Sequence, residues 1–265
     1  MSSSFNNLLL SAVAIGAATF SLAAQAETIR GGVTPGPHAE IMEVVAEVAA
    51  EEQGLTIEIL EFSDYVIPNT ALADGELEFN SFQHEPYLDN QKADRGFDIV
   101  SVGPTVVFPM GFYSNKYGSF DEVPDGATIA IQNDPTNGGR ALLLLQSAGL
   151  LTVDEGAGLT PTILDIVDNP HNFRIIELEA AQLPRSLDDV DVAAVNTNYA
   201  VDAGMNPAEE AILREGAESP YMNIIAVRGE DADAEWLDKL VAAYHTDRVR
   251  DFILERFEGA AVPGF

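Results

Sequence analysis

The strongest constraint on this chain is its rhythm. From residue 28 onward, short apolar runs of strand type alternate with amphipathic segments of helical period. "TIRGGVT" (28–34) is a short β-type run. "PHAEIMEVVAEVAAEEQG" (37–54) follows, with Ile41, Val44, Val45 and Val48 on one face and Glu40, Glu43, Glu47 and Glu51 on the other. That spacing is the period of an α-helix. Pro37 suits its first turn, and Gly54 suits the position just past its end. "LTIEILEF" (55–62) alternates with period two and predicts a strand. Further strand-type runs cover 97–107, 127–131, 174–179, 191–196 and 223–228, and one helical pattern over 233–257 closes the chain. Strands alternating with helices predict an α/β fold with largely parallel sheets. A chain of 265 residues, 46% of them hydrophobic, is long enough for two α/β lobes. Ligands of such sheets sit beyond the carboxyl ends of the strands.

Charge narrows the partners. Forty-three acidic residues against 13 basic ones give a formal net charge of -30. Such a chain repels nucleic acid and does not favour an anionic membrane surface. It exceeds what solubility requires and fits either a high-salt setting, where self-repulsion is screened, or simple compositional drift. Cysteine is absent, which excludes disulfides, thiolate metal sites and cysteine nucleophiles. Residues 1–26 read as an export signal: "LLLSAVAIGAATFSLAA" (8–24) is apolar and uncharged, and Ala24-Gln25-Ala26 is a small-x-small cleavage pattern. The mature chain is expected to begin at Glu27 and to be exported.

Signatures of catalysis are missing. "HEPYL" (84–88) starts like a zinc-protease helix but places Leu88 where the second histidine must stand. His38, His84, His171 and His245 have no paired spacing, and there is no P-loop, G-x-G-x-x-G or G-x-S-x-G. The expectation is a binding protein with no cofactor and no metal. The remaining polar and aromatic signals stand at the ends of expected strands: Tyr65 in "EFSDY", Phe82, His84 and Tyr87 in "FNSFQHEPY", Asn196 and Asn198 in "VNTNYA", and Tyr221 and Asn223 in "SPYMN". In "NDPTNGGRALLLLQ" (133–146), Asp134-Pro135-Thr136 marks a helix start. Arg140 should then fall within roughly the first turn, with Gly138 and Gly139 leaving room beside it. Together these residues suit a small zwitterion: aromatics for an apolar tail, amides for an ammonium group, a guanidinium for a carboxylate. On these residues alone, Arg140 serves either such a ligand or a surface pairing with one of the many carboxylates, and Phe82 either the ligand or the core.

Five long stretches in fixed order carry a resemblance: "GVTPGPHAEI", "EFSDYVIPNTALADGELEFNSFQHEPYLD", "NDPTNGGRALLLLQSAGLL", "IIELEAAQLPRSLDDVDVAAVNTNYA" and "SPYMNIIAVR". Over its whole mature length the chain resembles the methionine-binding proteins of methionine ABC importers, the NlpA lipoprotein family. The resemblance implies a periplasmic-binding-protein fold, with two α/β lobes, a ligand cleft between them and two hinge crossings, near 106–111 and near 221–226. Lobe 1 would comprise 27–107 plus 226–265, and lobe 2 would comprise 108–225. It implies Tyr65, Phe82, His84 and Tyr87 as the side-chain pocket, Arg140 as the carboxylate-binding arginine, and Asn196, Asn198 and Asn223 around the amino group. Asn137 is a further candidate near the same helix start. The implied partners are L-methionine or a close analogue and the permease and ATPase subunits of an ABC importer. The family's mature N-terminus carries a lipobox cysteine, and this chain has no cysteine. The expectation is therefore a free periplasmic protein without a lipid anchor.

Overall fold

The computed structural model describes residues 27–216 and 218–265; the expected export segment 1–26 lies outside them. The chain opens with β1 (Glu27–Val33) and α1 (Pro37–Val48). Pro37 sits at the helix start as its fixed φ allows, and Ile41, Met42, Val45 and Val48 are buried. A looser turn over 49–53 ends at Gly54, whose φ of 62° is the left-handed conformation glycine adopts at little cost. Then come β2 (Leu55–Glu61), α2 (Ile67–Ala73), β3 (Phe79–Asn80), α3 (Glu85–Arg95) and β4 (Ile99–Val107).

After β4 the chain crosses to a second sheet. There it forms β5 (Gly111–Tyr113), β6 (Thr128–Gln132), α4 (Pro135–Ser147), the small hairpin β7 (Thr152–Val153) and β8 (Ile166–Asp168), β9 (Arg174–Leu178), α5 (Leu183–Ser186), β10 (Val192–Val195), α6 (Thr197–Asp202) and β11 (Leu213–Arg214). It then returns as β12 (Met222–Arg228), α7 (Glu235–Tyr244), α8 (Asp247–Phe257) and β13 (Val262–Pro263). The first sheet runs β13-β4-β12-β3-β1-β2 and the second β11-β5-β10-β6-β9. The first and last parts of the chain thus share one sheet. The boundary expected at 225/226 falls inside β12, all of which belongs to that sheet.

The sheets are mixed rather than largely parallel. β1 runs parallel to β2 and β3, and β6 runs parallel to β9 and β10. By contrast β12 is antiparallel to β3 and β4, and β5 is antiparallel to β10 and β11. The reason is topological. β4 carries the chain out of the first sheet and β12 carries it back alongside, so the crossing strands must oppose each other.

The helical pattern of 233–257 divides into two helices. Thr246 caps the second, its side chain accepting from the Val249 N–H. The break turns α8 onto α1, where Arg256 pairs with Glu40 at 2.6 Å and Arg248 pairs with Glu47 and Glu51. Val45, Ile225, Leu240 and Ile253 share this core, while Leu142 and Leu145 of α4 pack with Ile129 and Val192 in the other.

Candidate functional site

A cavity lies between the two sheets, and the nine residues expected to hold the ligand line it, while Tyr221, also named from the sequence, does not. Tyr65, Phe82, His84, Tyr87 and Asn223 reach it from segments that pack with the first sheet. Asn137 and Arg140 come from α4, and Asn196 and Asn198 come from the end of β10 and the start of α6. Local chemistry sets α4 in place. Asp134 accepts from the Asn137 backbone N–H at 2.9 Å, so it is the helix cap, with Pro135 as first residue. Asp134 also accepts from the Asn137 side-chain amide and the Thr136 hydroxyl, and burial raises its pKa.

The polar wall is a chain of amides. Asn137 Oδ1 accepts from Asn196 Nδ2 at 2.9 Å, and Asn196 Oδ1 accepts from Gln132 Nε2 at 2.7 Å. His84 caps α3, with its Nδ1 accepting from the Tyr87 N–H at 3.1 Å. The proton must then sit on Nε2, which donates to Asn137 Oδ1 at 3.2 Å. Burial, with the Arg140 charge adding to it, lowers the His84 pKa to about 3, so the ring is neutral. The aromatic wall is joined to the opposite side: Tyr65 donates its hydroxyl to Asn198 Oδ1 at 2.7 Å. Tyr87 donates to the Tyr65 carbonyl at 2.9 Å. Burial raises both phenol pKa values, so both stay protonated. Asn223 lines the cavity without a side-chain hydrogen bond to any described residue.

Arg140 differs from expectation in three ways. It is the sixth residue of α4, in the second turn rather than the first. It is not reserved for a ligand: Nε donates to Glu215 Oε1 at 2.8 Å, and Nη2 donates to Glu215 Oε2 at 2.5 Å and to the Phe108 carbonyl at 2.8 Å. The guanidinium also lies over the Tyr221 ring, 4.2 Å from its centroid. Nor do the two glycines leave room for a ligand. A Cβ on Gly138 would stand 2.6 Å from the Gln132 carbonyl oxygen, and one on Gly139 would stand 2.9 Å from the Leu159 carbonyl oxygen and from Thr160 Cα. They let α4 pack tightly between β6 and the 159–161 loop. Of the five guanidinium N–H donors, three are used, and the two on Nη1 have no partner among the described residues.

His38, Gln83, Phe108 and Thr197 also line the cavity and were not singled out from the sequence. His38 is buried edge-on to Phe108, and burial lowers its pKa to about 3. Gln83 belongs to a buried amide cluster with Asn69 and Asn80 that fixes the loop before α3. Thr197 donates to the Pro109 carbonyl at 2.5 Å, tying α6 to the first crossing. Glu215 had no local signal at all, since it meets Arg140 only through the fold. Among the described residues no cluster of three or more histidines or acids could hold a metal ion.

Comparison with known proteins places this geometry. The model of the NlpA lipoprotein family matches residues 29–265. The D-methionine-binding lipoprotein MetQ of Escherichia coli (strain K12) is 48% identical over 239 residues, covering 89% of this chain and 88% of that protein. A nutrient-binding protein from Burkholderia cenocepacia, solved bound to methionine, is 49% identical with a TM-score of 0.88, covering 89% of this chain and 100% of that one. An ABC transporter periplasmic substrate-binding protein from Coxiella burnetii is 46% identical with a TM-score of 0.86, covering 89% and 100%. Their names correct one expectation. The family and MetQ are named lipoproteins, which implies a lipobox and a lipid anchor, against the expectation of an unanchored protein. That expectation rested only on a missing thiol, and such an absence does not describe how a family meets its membrane. On its family match and on these identities, the chain belongs to the NlpA lipoprotein family, built on the two-lobe fold of periplasmic substrate-binding proteins.

Proposed function

We propose that this protein captures methionine in the cleft between its sheets and delivers it to the permease of an ABC importer, without chemical turnover. The observation that carries the reading is the cavity itself, with aromatics on one wall and amides and Arg140 on the other. Tyr65, Phe82 and Tyr87 offer ring edges and faces to a thioether, a contact sulfur favours. Arg140 Nη1 is the donor left for the carboxylate. Among the lining asparagines, Asn223 has the uncommitted amide oxygen suited to the ammonium group. The relatives named above, a D-methionine-binding lipoprotein and a methionine-bound protein, support the same ligand.

L-methionine is the leading stereoisomer, and the name of MetQ keeps D-methionine as the second reading. The test is to denature protein purified from its export compartment and to identify the released small molecule by mass and chiral chromatography. Methionine at near one equivalent supports the reading, and its enantiomer separates the two forms. A dipeptide, a different amino acid or no amino acid would contradict it.

A further inference from the structure

We propose that Glu215 decides the charge class of the ligand: by neutralising Arg140 from outside the cavity wall, it admits a zwitterion and turns away an anion. The inference rests on the reading above, that the cavity takes an amino acid whose carboxylate meets Arg140. Arg140 is the one charged side chain lining the cavity among the described residues. The lining histidines, His38 and His84, are neutral. A cavity walled by an unmatched guanidinium would be completed by a simple carboxylate. This one is not unmatched.

Glu215 follows β11, on the returning segment, and takes the Nε/Nη2 edge of the guanidinium with both oxygens. The Arg140 side chain is 3% exposed and that of Glu215 13%. Glu215 is itself fixed. Its Oε2 also accepts from the Met110 N–H at 2.9 Å, and its own N–H donates to the Met110 carbonyl at 3.0 Å. It therefore cannot swing away cheaply when a ligand arrives. Asp134, the next carboxylate, stands behind Asn137 and is engaged at the start of α4, so it adds no positive charge to offset. The walls around an incoming carboxylate thus already sum to zero or below. A buried carboxylate there needs a positive charge of its own, which an α-ammonium group supplies. A bare acid would leave an uncompensated charge inside the closed cleft.

The test uses three ligands of nearly one shape: methionine, 4-(methylthio)butanoate, which lacks the ammonium group, and methioninol, which lacks the carboxylate. Each is titrated into wild type, Glu215→Gln and Glu215→Asp. Wild type should prefer methionine to the butanoate by about 30-fold or more, a modest share of the cost of a buried unpaired charge. Glu215→Gln, which removes charge but keeps an acceptor oxygen, should shift the methionine-to-butanoate preference toward the butanoate by about tenfold or more. Glu215→Asp should retain the wild-type preference. A purely structural role would weaken all three ligands together and leave the ratio unchanged, and that result overturns the proposal. Should the Gln variant not fold, wild type that binds the butanoate as tightly as methionine overturns it equally. Wild type that binds none of the three removes the proposed function itself, and this inference with it.

Discussion

At the scale of the residue, Arg140 has two tasks. Its Nε and Nη2 hold Glu215 and the Phe108 carbonyl, and its Nη1 remains for a ligand. Arg140→Ala should therefore destabilise the ligand-free protein, because it strands a largely buried carboxylate. Breaking one side of such a pair costs about 2–4 kcal/mol, reduced somewhat here by the slight exposure of Glu215. Urea unfolding without ligand measures this, and an unchanged midpoint would mean the pair is structurally idle. The buried histidines make a second prediction. Their folded pKa of about 3 lies below the ordinary 6.5, so the unfolded chain takes up protons first as pH falls. The stability this reflects is complete above about pH 6.5 and is lost on acidification toward pH 3. Each histidine should account for about 2 kcal/mol of loss between pH 7 and pH 5 by linkage. His38→Gln or His84→Gln should each flatten that pH dependence by about this amount. An equal slope in wild type and both variants would show that the rings titrate normally.

At the scale of the element, α4 shows what a sequence discloses and what it hides. Its cap was legible because Asp134, Pro135 and the Asn137 N–H interact within three residues of one another. What the helix packs against was not legible, because the Gln132 carbonyl and the 159–161 loop arrive only with the fold. That contact makes Gly138→Ala informative. The added methyl meets rigid backbone, so α4 must shift off β6. A cost of about 1–3 kcal/mol in stability is expected, with weaker ligand binding as Arg140 moves. Thermal melts and titration of the variant check both, and wild-type values for each would mean the helix accommodates the methyl. The same boundary between local and non-local explains the other differences. Strand positions and the Gly54 stop were legible from local pattern, and the nine lining residues came from patterns tied to the ends of those strands and helices together with the family resemblance. The antiparallel pairing of β12 with β4, the break before α8 and the Arg140–Glu215 pair each depend on segments far apart in the chain.

At the scale of the whole molecule, two sheets share a cleft, and the chain passes from one to the other between β4 and β5 and returns between β11 and β12. Arg140 touches both crossings, through Phe108 on one side and Glu215 and Tyr221 on the other. A ligand held at Arg140 thus meets the molecule where its halves are joined. The net charge of -30 acts on the whole surface, and it predicts a melting temperature that rises between low and molar sodium chloride as carboxylate repulsion is screened. A flat or falling trend would remove the link to high salt. The central claim, that the cleft binds methionine through Arg140, is tested most directly by calorimetric titration of methionine into ligand-stripped wild type and Arg140→Ala. The account predicts one site per chain in wild type. In the variant, loss of a charge-assisted hydrogen bond worth about 1.5–3 kcal/mol should weaken binding by roughly 10- to 150-fold. No binding to wild type, or a folded variant that binds within about threefold of it, a difference near 0.65 kcal/mol, would contradict the account.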